Sequence, residues 1–157
     1  MNRNKVSGEK LNSFRVLYHE EQVIEQLSSH MLHWLPNVPR EYIVLCIGTD
    51  RSTGDALGPL TGMMLKSKKP LNLTVYGTLH EPVHATNLTE YITEIKEKHR
   101  YPFIIAVDAC LGKNSSIGHI ITGIGPVKPG AALNKKLPEV GDIFITGVVN
   151  SGGFMDH

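Results

Sequence analysis

The sequence predicts an α/β fold, a three-layer α/β/α single domain around a mostly parallel central sheet, and three observations predict it. Residues 42–48 and 103–107 are apolar runs too short for helices, as expected of strands buried on both faces of a parallel sheet. Segments with helical spacing alternate with such runs through the first two-thirds of the chain, the pattern of parallel strands joined by crossover helices. The length of 157 residues suits one domain, and 41% hydrophobic against 20% charged residues is the balance of a packed globular chain rather than a disordered one.

Element by element, residues 20–35 place Val23, Ile24, Leu27, Met31, Trp34 and Leu35 on one face of a leading amphipathic helix, with Glu20 and Glu21 at its positive end. After Pro36 and Pro39 comes the first strand, 42–48. A glycine-bounded loop, Gly48 to Asp55, leads into a helix from residue 56 to about 65, for which Asp55 is the expected N-cap. Its Met63 and Met64, like Trp34, read as core filling. A strand at 73–79 runs into His80-Glu81-Pro82-Val83-His84, and a helix at 88–98 follows, with Asn87 and Glu90 as its capping pair. The strand 103–108 ends in a carboxylate. Two β segments, 119–124 and 143–149, flank a Pro/Gly-rich loop at 125–141. That loop is long enough for a lid or binding loop bearing Lys128, Lys135 and Lys136, and equally reads as a solvated connection. No helix follows the last strand, so that side of the sheet is expected to be covered by an oligomeric neighbour or by chain beyond His157.

Composition narrows the partners. Sixteen Lys and Arg against fifteen Asp and Glu give a net charge of +1, too little field to hold nucleic acid or an anionic membrane. The longest apolar stretch falls far short of a membrane span and the polar start lacks a signal-peptide core, so a cytoplasmic location is expected. Cys46 and Cys110 lie in or beside apolar runs and read as reduced, packed thiols.

Open α/β sheets bind ligands at the carboxyl ends of their strands, where strand order reverses. If the strands at 42–48 and 103–108 are neighbours there, Asp55 and Asp108 converge. Two facing carboxylates suit general acid/base chemistry on a water or an amide, one protonated and the other ionised, or they can hold a divalent metal. The structural alternative is that Asp55 caps its helix and Asp108 caps a turn. Asp50, Ser52 and Gly54 of the same loop are candidate substrate contacts, Asp50 also as a third carboxylate ranking behind Asp55; Gly54 is followed by Asp55 where a phosphate loop would need Lys, which argues against a nucleotide site. His80-Glu81-Pro82-Val83-His84 spells the H-E-x-x-H zinc signature. That signature needs a helix, and Pro82 makes a strand-to-helix loop the better reading, with Glu81 and His84 bordering the crevice as substrate contacts. Cys110 beside Asp108 is a poor nucleophile, because a neighbouring carboxylate raises a thiol's pKa. The remaining histidines, His99 and His119 among them, read as surface or helix-face residues.

The runs Ile47-Gly-Thr-Asp-Arg-Ser-Thr-Gly-Asp-Ala-Leu-Gly-Pro59, Val107-Asp-Ala-Cys-Leu-Gly112 and Thr146-Gly-Val-Val-Asn-Ser-Gly-Gly-Phe154 resemble the YyaC family of sporulation proteins, with the likeness extending from Tyr42 to the end. That family is similar in turn to the germination protease of bacterial spores, an atypical aspartic peptidase, and the resemblance implies that Asp55 and Asp108 are its catalytic pair. It implies a protein or peptide substrate, a spore or forespore interior, and no cofactor or metal. A more distant likeness is to hydrogenase maturation endopeptidases, which read nickel with two carboxylates and a histidine. Residues 133–142, where that histidine would fall, contain none. Three functions are therefore expected: a peptidase-like hydrolase, a non-catalytic partner-binding protein on the same fold, or a metal-sensing maturation-type endopeptidase. The family continues past Gly-Gly-Phe into a further helix, so the resemblance also implies a truncated chain.

Overall fold

A computed structural model describes residues 11–129 and 137–152. Six strands form one sheet in the order β1-β5-β6-β4-β2-β3: β1 is Ser13–Leu17, β2 Glu41–Cys46, β3 Leu73–Tyr76, β4 Pro102–Gly112, β5 His119–Ile124 and β6 Ile143–Ser151. β3, β2, β4 and β6 are parallel, while β5 is antiparallel to both β6 and β1. Three helices complete the layers: α1 (Val23–Trp34), α2 (Leu57–Ser67) and α3 (Leu88–Lys98). The connection from β2 through α2 goes outward to β3, and the one through α3 returns past β2 to β4. Strand order therefore reverses between β2 and β4, the place the expected crevice requires.

Alternation along β2 divides the core. Ile43, Leu45 and Ile47 join Ile104, Ala106, Leu88 and Ile95 on the α3 face, whereas Val44 and Cys46 join Val75 and Val107 on the α2 face. Ile43, Leu45 and Cys46 are completely buried, each large side chain contributing about 1.5–3 kcal/mol relative to exposure. α2 lies close on the sheet because it presents glycines. A Cβ on Gly58 would stand 2.1 Å from the Ile47 carbonyl oxygen, and one on Gly62 would stand 1.8 Å from that of Gly77. Helix and strand backbones are thus in direct contact beneath the β2 loop.

Several expectations change. β1 is an alternating five-residue strand, Ser13-Phe-Arg-Val-Leu17, that the sequence reading passed over. α1 begins at Val23, and only part of its apolar set turns inward: Ile24 is 73% exposed, while Phe14 of β1 stacks on His30 at 4.2 Å between centroids. Met63 and Met64 are exposed on α2 rather than core filling. β3 stops at Tyr76 because Gly77 takes φ +95°. β4 does not end at Asp108. It runs on to Gly112 alongside β6, with a register shift between Cys110 and Leu111, so Asp108 is a mid-strand residue and caps no turn.

The 125–141 loop is neither a free lid nor a solvated connection at its ends. Val127 and Val140 pair in an isolated bridge and are buried in the α3-side core, and Lys128 meets Glu139 at 3.6 Å. Lys135 and Lys136 lie outside the described residues.

Candidate active site

The site forms where β2 ends. The Ile47 amide donates to the Val107 carbonyl at 2.8 Å, keeping contact with β4, and the Gly48 amide donates to Val83 at 2.8 Å, reaching the opposite way to the loop after β3. The chain leaving β2 therefore opens between its two neighbours. Gly48 has φ +144°, and a Cβ there would stand 2.2 Å from the Asp55 carbonyl oxygen, so only glycine lets the loop fold back on itself. It closes through Thr49, whose amide donates to the backbone oxygen of Asp55 at 3.1 Å and to its Oδ2 at 3.0 Å. The Thr49 hydroxyl donates to the same Oδ2 at 3.1 Å.

Asp55 consequently does not cap α2. It sits in a 3-10 turn, Thr53–Asp55, one residue before the N-cap position at Ala56, and its carboxylate turns back to Thr49. Gly54 carries this turn across β4 toward β6, where a Cβ on it would meet Val149 at 3.6 Å.

Asp108 rises from β4 beneath this arch. It is 8% exposed, and Oδ1 accepts a 2.8 Å hydrogen bond from the Ala109 amide. Burial pushes its pKa up from the ordinary 3.8 to about 7, the Ala109 hydrogen bond opposes that rise, and the charge of Asp55 adds to it. The two aspartates singled out from sequence are thus within electrostatic reach of each other, one buried and proton-holding, the other anchored by Thr49. Thr146 lies directly beside Asp108 in the β4–β6 register, its hydroxyl donating to the Ile121 carbonyl at 3.4 Å. Cys110, half-buried on the same side, has its thiol pKa raised first by burial, with Thr146 opposing and Asp108 assisting. A packed thiol and not a nucleophile is the result.

Of the other sequence candidates, Gly54 shares the turn of Asp55, and the rest are not gathered at the pair. Asp50 and Ser52 are exposed on the outer lip of the loop. The His80–His84 pentapeptide is a loop, not a helix, and bridges to Ile47 through Val83, so its two imidazoles do not share a helical face. Its backbone borders the site, while two of its side chains are engaged elsewhere. His84 Nδ1 lies 2.9 Å from the Thr86 hydroxyl, and Glu81 lines a groove outside β3. Asn87 also departs from its expected role: Oδ1 accepts from the His84 amide at 2.8 Å and Nδ2 donates to the Pro82 carbonyl at 3.0 Å, bracing this loop rather than capping α3. Among the described residues no three His, Cys, Asp or Glu side chains come together as a metal site, and none of the helices is long and apolar enough to cross a membrane.

Two site residues escaped sequence reasoning. Thr49 had a signal, a hydroxyl at the mouth of the glycine-bounded loop. Thr146 had none before the strand register was known.

The family described as "Protein of unknown function (DUF1256)" matches residues 15–157. A curated relative, "Uncharacterized protein YyaC" from Bacillus subtilis (strain 168), is 56% identical over 115 residues, which cover 73% of this chain and 56% of the relative. The chain thus spans little more than half the length of that relative. The chain therefore belongs to the DUF1256 family and is similar to YyaC.

Proposed function

We propose that the protein is a peptidase-like hydrolase in which Asp55 and Asp108 activate water against a peptide bond. One observation carries the reading: a buried carboxyl whose pKa lies at about 7 stands within reach of a second carboxylate at the topological switch point. A carboxyl that holds its proton near neutrality can act as an acid where an ordinary aspartate would already have lost it. In the proposed reaction Asp55 accepts a proton from water as the oxygen bonds to the peptide carbonyl carbon. Asp108 donates its proton to the carbonyl oxygen, giving a tetrahedral intermediate; the carbon–nitrogen bond then breaks as Asp55 passes its proton to the leaving amine, and a hydroxyl of the intermediate returns a proton to Asp108 as the carboxyl product forms. Asp55 suits the acceptor role geometrically, since Thr49 engages only its Oδ2. Support for a proteinaceous substrate and a sporulation setting comes from the sequence resemblance to the germination protease.

The test is cleavage of a peptide library, mapped by mass spectrometry. Asp55→Asn and Asp108→Asn are each expected to lower the rate by about 10²-fold or more, the usual contribution of a general acid or base. Unchanged cleavage in either variant, or no cleavage by the wild type, contradicts the proposal.

A further inference from the structure

Among the described residues β3 is the last strand of its side of the sheet and pairs only with β2, so its outer edge presents backbone amides and carbonyls to no other described strand. A groove of about 580 Å³ runs along that edge. Its two walls differ in chemistry. On the α2 face they are Lys66 and Lys69, at the end of the helix, and among the described residues neither makes an ion pair. On the α3 face they are Tyr76 and Tyr91, packed edge to face with centroids 6.0 Å apart. This aromatic wall is held in place. The Tyr76 hydroxyl lies 2.8 Å from His99 Nε2, and His99 Nδ1 lies 2.8 Å from Glu41 Oε1. The remaining lysine, Lys98, is already engaged by Glu94 at 3.2 Å.

We infer that this edge is a docking strand for an extended polypeptide in which acidic and apolar residues alternate. A segment added beside β3 would complete its backbone hydrogen bonds, and successive side chains would point to opposite faces. One set would meet Lys66 and Lys69, and the other would pack on Tyr76 and Tyr91. A two-residue alternation in the ligand follows from the two-sided chemistry of the groove. Lysines beside a short edge strand also discourage pairing between copies of the same protein, and this selects against basic partners while favouring acidic ones.

The inference deepens the peptidase reading, and in one respect rests on it. The groove continues past Gly77 and Thr78 to Glu81, in the loop that bridges to Ile47 at the mouth of the site. An added strand would lie about 10–15 Å from the β2–β4 junction, two to three strand spacings, which about four extended residues can cross. A bond about that far beyond the docked segment would reach the carboxylates.

The experiment uses ¹⁵N-labelled protein and two end-blocked synthetic heptapeptides, one alternating Glu with Val and the other Lys with Val. The Glu peptide is expected to shift the amide resonances of residues 73–76 and slow their hydrogen exchange, and the Lys peptide is not. Lys66→Glu combined with Lys69→Glu, both exposed, is expected to weaken the Glu peptide about tenfold and to favour the Lys peptide. Unperturbed β3 amides, equal binding of the two peptides, or unchanged binding by the double variant overturns the docking strand. Binding of the Glu peptide to Asp108→Asn at wild-type strength supports it independently of catalysis. A peptide that docks on β3 without any relative of it being cleaved overturns the peptidase reading and leaves the docking strand standing.

Discussion

Two carboxyl groups at opposite ends of the β2–β4 pairing show how position decides acid strength. Glu41, at the start of β2, is exposed. The Arg100 amide donates to its Oε2 at 2.8 Å and His99 lies against its Oε1, and these hydrogen bonds hold its pKa below the usual range. Asp108, in the middle of β4 just beyond the last β2 partner, receives one backbone hydrogen bond and is buried, and burial moves it the other way, to about 7. Donors aimed at the charged form and loss of water act in opposite directions, and here each wins once. The end of the sheet that fastens a helix terminus carries the stronger acid, and the end where strand order reverses carries the weaker one. Only the weaker one keeps its proton near neutrality, where the proposed hydrolysis would use it.

The sharpest contrast lies in stability against pH. Because the folded state holds the Asp108 proton up to about pH 7 and the unfolded chain releases it near 3.8, the folded protein binds more protons between those values. Stability associated with Asp108 is therefore complete in acid and is lost as pH rises from about 4 to 7, up to about 4 kcal/mol. Asp108→Asn is expected to recover much of this above pH 7, so that urea unfolding at pH 8 shows a more stable variant and at pH 4 little difference. A variant less stable than wild type at pH 8 would mean that the carboxylate is better solvated than its burial implies.

Next in size is the packing that excludes water. Gly58→Ala sets a methyl group against the Ile47 carbonyl, and Gly62→Ala does the same at Gly77. Each is expected to cost about 1–3 kcal/mol in chemical denaturation, since backbone rather than a flexible side chain must yield. The smallest effect belongs to the opposite end. Glu41→Gln removes a carboxylate whose pKa is depressed by folding, so its stabilisation is present at neutral pH and is lost as pH falls through that depressed value. A slight fall in Tm at pH 7 that vanishes in acid is expected.

Much of this was legible in the sequence because the signals were local. The buried strands β2 and β4, the alternation with helices and the acids Asp55 and Asp108 follow from apolar runs bounded by glycine and carboxylate. What escaped depended on partners far along the chain. Asp55 has the chemistry of an N-cap, and its preference for Thr49 arises from a loop closure that only Gly48 permits. β4 extends past Asp108 because β6 pairs with it, and no local pattern around Asp108 reports that. His99 read as a surface histidine, yet it joins Glu41 to Tyr76 across 58 and 23 residues. The H-E-x-x-H letters were legible as a loop, because Pro82 argues against a helix there, and the bridge at Val83 holds them in one.

The central claim is that Asp108 keeps its proton near neutral pH mainly because it is buried and secondarily because of the nearby charge of Asp55. Carbon-13 NMR of the aspartate carboxyl groups, titrated from pH 3 to 9 in wild type and in Asp55→Asn, measures this directly. The account predicts an Asp108 midpoint at about 7 that falls in Asp55→Asn yet stays well above 3.8, since burial is the larger cause. An Asp108 midpoint in the ordinary carboxylate range in the wild-type protein would contradict it.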